Sequence, residues 1–220
     1  MNQLQVIIFG GTFDPPHFGH TAVVDAVLQN FKDARILLVP AMNPPISSDS
    51  VKSVTTSHSM RMAMCEAHFS EHISLGKLRV SAIESSLPTP SFTYRTTSAY
   101  VSSFPGVKFG FVMGLDQFKA FPKWRNPQGI LGDVDLIVVG RGEERLFPNF
   151  AAMTESLQID FETMGDSEFR LKPYGSKVYL LEGALSPLSS SELRNGMEFS
   201  DDETSVKVRD LIKKHDLYNN

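Results

Sequence analysis

Positive charge is scarce in this sequence. Its 220 residues carry 21 lysines and arginines against 25 aspartates and glutamates, for a net charge of −4. Nucleic acid is held chiefly by cations set against its phosphates. A chain with this balance is not a general nucleic-acid binder, and any phosphate recognition has to be local. Cysteine is almost absent as well. The single Cys65 excludes an intrachain disulfide framework and a cysteine-rich metal site. Its place in the apolar helical pattern "MRMAMCEAHF" reads as a small buried hydrophobe. Long apolar runs are missing too. No stretch approaches the roughly 20 residues a membrane span needs, and the N-terminus has neither a basic n-region nor an apolar h-region. The expectation is a cytoplasmic protein with no membrane partner.

What the sequence does have is short apolar runs at regular intervals: 4–9, 35–40, 77–83, 107–113, 134–140 and 177–182. They are near-continuous rather than alternating, which suits strands covered on both faces of a parallel sheet. Helical stripes fall between them. Phe18, Ala22, Val23, Ala26 and Val27 form one, Met60, Ala63, Met64 and Ala67 a second, and Val208, Leu211 and Ile212 a third within 201–217. The alternation predicts an α/β fold with a doubly wound, mainly parallel sheet and helices on both faces. Neither an internal repeat nor a long linker divides the chain, so 1–220 reads as one domain. Residues 41–56 and 141–176 read as loop-rich, the first as either a flap or a plain surface connection.

The most informative stretch is "FGGTFDPPHFGH" at 9–20, directly after the first apolar run. Gly10 and Gly11 permit a tight turn and close backbone approach by a ligand. A helix is expected to start near Phe18 or Gly19, and its free N–H groups and dipole would favour an anion. His17 and His20 lie three apart and share a face on a helical turn. Three roles fit that spacing: donors to phosphate oxygens, metal ligands (no third ligand is evident nearby), or a structural pair in which one caps and one packs. The loop is neither a G-x-G-x-x-G nor a G-x-x-x-x-G-K-[ST] motif.

Taken whole, "GGTFDPPHFGH" resembles the signature of the nucleotidylyltransferase superfamily, with its HxGH core at His17, Gly19 and His20. Members share a Rossmann-like sheet and join a nucleoside triphosphate to a phosphate-bearing acceptor, releasing pyrophosphate. The superfamily's second signature, roughly I-S-S-T-x-I-R, is matched by "LSSSELR" at 188–194. Ser189 with Glu192 is also a capping-box pattern and Gly196 a helix stop, so the segment reads independently as a well-capped helix start. "FVMGLDQFKAFPKW" (111–124) and "PSFTYRT" (90–96) resemble segments of the nicotinate- and nicotinamide-nucleotide adenylyltransferases, closest to the bacterial nicotinate-nucleotide enzymes. The final "VRDLIKKHDLY" is similar to that family's C-terminal helix.

The resemblance implies the following roles. His17, His20 and Arg194 are catalytic. Gly10, Gly11, Thr12, Phe13, Gly114, Asp116, Ser189 and Ser190 bind ATP, with Asp116 on ribose. Thr93, Trp124, Arg125 and Lys52 bind nicotinate mononucleotide, Trp124 by stacking on the pyridine ring. Mg²⁺ enters with ATP, and no metal is held by protein ligands alone. The oligomeric state stays open, a homodimer among the options. One departure stands out. The family's basic "PPHK" is here "NPPISS" (43–48), which leaves Lys52 or Arg61 as substitutes.

Overall fold

A computed structural model describes residues 4–45, 56–140, 145–182 and 203–218. Its strands are β1 (Val6–Gly11), β2 (Arg35–Pro40), β3 (Leu78–Val80), β4 (Phe109–Gly114), β5 (Asp135–Val139), β6 (Phe161–Thr163), β7 (Glu168–Leu171) and β8 (Lys177–Leu181). They form one sheet in the order β3-β2-β1-β4-β5-β8-β7-β6. The six strands from β3 to β8 in that order run parallel, while β7 and β6 pair antiparallel at one edge. The described helices are α1 (Phe18–Asn30), α2 (His58–His68), α3 (Ser70–Ser74), α4 (Thr93–Ser103), α5 (Leu115–Ala120), α6 (Pro127–Asp133), α7 (Phe147–Leu157) and α8 (Val206–Lys214).

The near-continuous apolar strands are explained by two cores, one on each face. In β1, Ile7 and Phe9 join one core while Ile8 joins the other. In β4, Phe111 and Met113 lie on the side opposite Val112, and β5 divides in the same way between Leu136 and Ile137. Successive strand side chains point to opposite faces, so a strand buried on both faces has no polar positions to alternate. Helix α1 covers one face with Val23, Val24 and Val27. This shifts the expected stripe by one position and leaves Phe18 at 39% exposure on its rim. Cys65 is fully buried in the same core.

Two expectations are corrected. Residues 141–176 were expected to be loop-rich, yet α7, β6 and β7 lie there. Their signals are weak because the strands are three and four residues long, and α7 starts without a side-chain cap. What holds them is a cluster of rings distant in sequence, with Phe150 stacked on Phe169 at 4.4 Å and Phe161 edge-on to Phe150 at 4.8 Å. The second correction concerns the glycines. Gly10 and Gly11 are the last residues of β1, pairing with Val39 and Pro40 of β2, and do not form the turn after it. Gly11 is needed for space, because a Cβ there would meet the Phe13 ring at 2.9 Å.

β1 has β2 on one side and β4 on the other, and the chain winds outward from this pair in both directions. In open α/β sheets the crevice at such a reversal, beyond the carboxyl ends of the strands, is where ligands bind. Here those ends are Gly10–Gly11 and Met113–Gly114. Because the Phe13 ring cannot retreat from the core, Gly11→Ala should cost about 1–3 kcal/mol of stability, the usual penalty of overpacking. Urea unfolding measures it, and an unchanged midpoint would contradict the packing account.

Candidate active site

The loop from Thr12 to His17 leaves β1 at this crevice. Phe13 takes φ 50°, a left-handed conformation rarely adopted by a bulky residue. Packing maintains it. The buried ring sits edge-on to Phe9 at 5.4 Å and against His20 at 4.8 Å. After a cis peptide between Asp14 and Pro15, the chain reaches His17, the extended N-cap residue of α1. His20 occupies the third helical position. The His17 main-chain N–H donates to His20 Nδ1 at 3.1 Å, and the His20 N–H donates back to the His17 carbonyl at 2.8 Å. The two rings lie 3.8 Å apart between centroids. An Nδ1 that accepts carries no proton, so the His20 ring proton resides on Nε2. The structure therefore brings the pair together as expected and also fixes the tautomer.

The free amides expected at this helix start are partly occupied. The Phe18 N–H donates to the Glu203 carbonyl at 2.9 Å, and the His20 N–H is committed to His17. An anion here would face imidazoles rather than those two amides.

Beneath the loop lies a buried polar group that sequence reading missed. Asp14 is fully buried and accepts from Thr56 Oγ1 and from the Tyr218 hydroxyl, each at 2.6 Å. Arg61, also fully buried, donates from Nη1 to the Thr12 carbonyl at 2.8 Å and from Nη2 to the Met42 carbonyl at 3.3 Å. Burial lowers the affinity of this guanidinium for its proton, and the nearby Asp14 charge opposes that. Arg61 was one of two candidates to replace the missing basic pair. Its Nη1 and Nη2 are instead taken up by backbone carbonyls, one in the loop and one just after β2. Helical spacing placed Arg61 one position from the apolar stripe, which gave no sign that a charge would be buried.

Of the other expected residues, five are described, on β4 and the helices around it. Gly114 ends β4 and is the N-cap residue of α5, and Asp116 sits exposed in that helix's first turn. Thr93 is the first residue of α4. The segment before it is held firmly. Arg95 donates to the Pro88 and Pro90 carbonyls at 2.8 and 3.2 Å. Ser91 and Asn43 exchange hydrogen bonds at 2.8 and 2.9 Å, which tie this segment to the end of β2. Trp124 is half-buried, with Phe121 at 5.5 Å and Phe111 at 6.2 Å. The Phe111 ring lies 3.4 Å from where a Gly10 Cβ would be, so Trp124 is one ring removed from the carboxyl end of β1. Arg125 is exposed. Lys52, Ser189, Ser190 and Arg194 lie outside the described residues.

His68 of α2 was also invisible to sequence reading. Its Nε2 pairs with Thr21 Oγ1 at 2.9 Å, and its Nδ1 meets Thr204 Oγ1 at 3.3 Å. Burial pushes its pKa down to about 4, helped by the charge of His72 and opposed by the His17 backbone. Among the described residues no group of three or more His, Cys, Asp or Glu is placed to hold a metal ion, and no helix is long and apolar enough to cross a membrane.

A parallel sheet with a reversal between β1 and β4, and an HxGH pair at the first helix start, define a nucleotidyltransferase-type site. In agreement, residues 8–196 match the model of the cytidylyltransferase-like family, and the chain belongs to that family. Among its relatives is a probable nicotinate-nucleotide adenylyltransferase of Leptospira borgpetersenii, 28% identical over 96% of this chain and 95% of that protein. Another, from Shewanella frigidimarina, bears the same name and is 26% identical over 98% of this chain and 100% of its own. Of solved structures, the nicotinic acid mononucleotide adenylyltransferase of Plasmodium falciparum in complex with NaAD superposes with a TM-score of 0.70. It covers 99% of this chain and 98% of its own, at 21% identity, a likeness of fold.

Neutral His68 has a pH consequence. Its folded pKa of about 4 lies below the ordinary value of 6.5. The unfolded chain therefore binds a proton first as pH falls. Stability should be unaffected by this group above pH 6.5 and should decline between 6.5 and 4, by up to about 3 kcal/mol. His68→Gln keeps the polar contacts and should flatten that part of the stability–pH curve. An unchanged slope would refute the assignment.

Proposed function

We propose that this chain transfers the adenylyl group of ATP to nicotinate mononucleotide, forming nicotinate adenine dinucleotide and pyrophosphate, a step in NAD biosynthesis. The observation that carries this reading is the His17–His20 pair, 3.8 Å apart between ring centroids, at the reversal of the sheet. Its His20 proton is confined to Nε2. The names borne by relatives matching nearly the full chain support the choice of acceptor.

A phosphate oxygen of the mononucleotide attacks the α-phosphorus of ATP in line. One P–O bond forms, the bond to the β-bridging oxygen breaks, and pyrophosphate departs. No covalent enzyme intermediate is needed, so the protein's task is positioning and charge stabilisation. His20 Nε2–H donates to the α-phosphoryl oxygens as negative charge builds there, in the way preorganised donors act. His17 supports the same phosphates. Arg194, Ser189 and Ser190 hold the β- and γ-phosphates. The backbone at Gly10, Gly11, Thr12 and Phe13 lies along the nucleotide, and Asp116 accepts from a ribose hydroxyl. Trp124 stacks on the pyridine ring, whose carboxylate is received near Thr93 and Arg125. Mg²⁺ comes with ATP. Imidazoles and backbone amides are poor partners for this hard cation, whereas triphosphate oxygens suit it.

One observation keeps a second acceptor in view. Arg61 is engaged by the loop backbone, so of the two candidates only Lys52 is left to replace the family's basic pair. Nicotinamide mononucleotide is the alternative, and a nucleotide-binding regulator without turnover is a further one. Pyrophosphate release with ATP and Mg²⁺, comparing the two mononucleotides, decides among these. The expected result is strong preference for nicotinate mononucleotide; release only with the amide, or with neither, overturns the reading. His20→Ala should lower kcat by about 100-fold or more while the variant stays folded by circular dichroism, at a modest cost in midpoint from the lost cap. Trp124→Ala should raise KM for the mononucleotide at least roughly fivefold, as expected for a lost stacking platform, and leave KM for ATP little changed.

A further inference from the structure

The buried carboxylate beneath the histidine loop is served from the far end of the sequence. Asp14 lies three residues before His17. One oxygen of its carboxylate, Oδ1, accepts from Thr56 Oγ1 and from Tyr218 Oη, both at 2.6 Å. Tyr218 does not continue α8. Both Asp216 and Tyr218 take left-handed φ angles, 51° and 68°. The chain thus turns back after the helix, at a conformational cost that surrounding structure must offset. The tyrosine ring packs with Met64, Val208 and Ile212, between α2 and α8. The same C-terminal arm reaches the loop at two more points. The Glu203 carbonyl accepts from the Phe18 N–H at 2.9 Å, and Thr204 Oγ1 donates to the Pro16 carbonyl at 2.8 Å. Pro16 and Phe18 are the immediate neighbours of His17.

The arm therefore grips the loop on both sides of the first histidine and at the carboxylate before it. A scaffolding role for the fold alone would not require this convergence. The sheet cores consist of strands β1 to β8 and their covering helices, and α8 joins only a small separate cluster. We propose that Tyr218 is a positioning residue for the reaction: through Asp14 it sets the placement of His17 and, by way of the His17 N–H to His20 Nδ1 bond, the tautomer and aim of His20. This inference rests on the adenylyltransferase reading, and its test separates the two.

The variant is Tyr218→Phe, which keeps the ring in its cluster and removes only the hydroxyl. Wild-type pyrophosphate release with ATP, Mg²⁺ and nicotinate mononucleotide is measured first, and its absence counts against the enzymatic reading alone. With wild-type activity in hand, the variant should lose about tenfold in kcat, in line with the steep dependence of rate on sub-ångström placement. Both KM values should stay within about twofold, since uniform binding is not what the hydroxyl supplies. Independently of turnover, the ¹⁵N shifts of the His20 ring should report pure Nε2–H imidazole in the wild type and a mixed tautomer in the variant. Thr56→Val removes a second donor to the same oxygen and should be non-additive with Tyr218→Phe in kcat. A variant with unchanged kcat and an unchanged His20 tautomer, whatever happens to its melting temperature, overturns the proposal. So does a loss confined to KM.

Discussion

A buried charge must be answered where it lies, and in this protein the charge is at Asp14. Its carboxylate has no solvent, so it gathers donors from residues 56 and 218 and the nearby positive charge of Arg61. Arg61 is buried too, and its Nη1 and Nη2 donate to the carbonyls of Thr12 and Met42. The outcome is that the ends of β1 and β2, the start of α2 and the C-terminal arm meet at one point under the histidine loop. Breaking one partner would leave an uncompensated buried group, and that penalty is what makes the arrangement stiff.

Stiffness here has a chemical use. Two histidines at a helix start can cap, pack, ligate a metal or donate to phosphate. Caught in reciprocal main-chain bonds, the pair in this structure does the first two and is prepared for the last. The His17 N–H takes up His20 Nδ1, so the remaining ring nitrogen can act only as a donor. The left-handed Phe13 and the absent side chain at Gly11 serve the same end by letting a phenyl ring support His20 from below.

Much of this was readable in advance. Strands that are apolar at every position implied a sheet covered on both faces, and five of the six expected strands coincide with observed ones to within two residues at either end, the exception being 77–83, where β3 stops at Val80. The loop chemistry of "GGTFDPPHFGH" pointed to the candidate site, because glycine, proline and paired histidine are local signals. The edge hairpin and α7 were not readable. Their stability comes from Phe150, Phe161 and Phe169 meeting across turns, and no local period records such a meeting. Arg61 misled for a related reason. On its helix it resembles any solvated cation, and only the position of the carbonyls above it reveals that it is structural.

The sequence by itself determined the class of fold, the stretch that follows the first strand, and the residue types available there. Periodicity and turn chemistry are properties of neighbours along the chain, and they survive without coordinates. Tertiary structure decided which nitrogen of His20 carries the proton, that Arg61 is engaged with backbone carbonyls, and that a tyrosine some two hundred residues away joins the environment of Asp14. Those outcomes depend on directions and distances between segments remote in sequence, fixed only when both sheet faces are packed and the buried charges have found their partners.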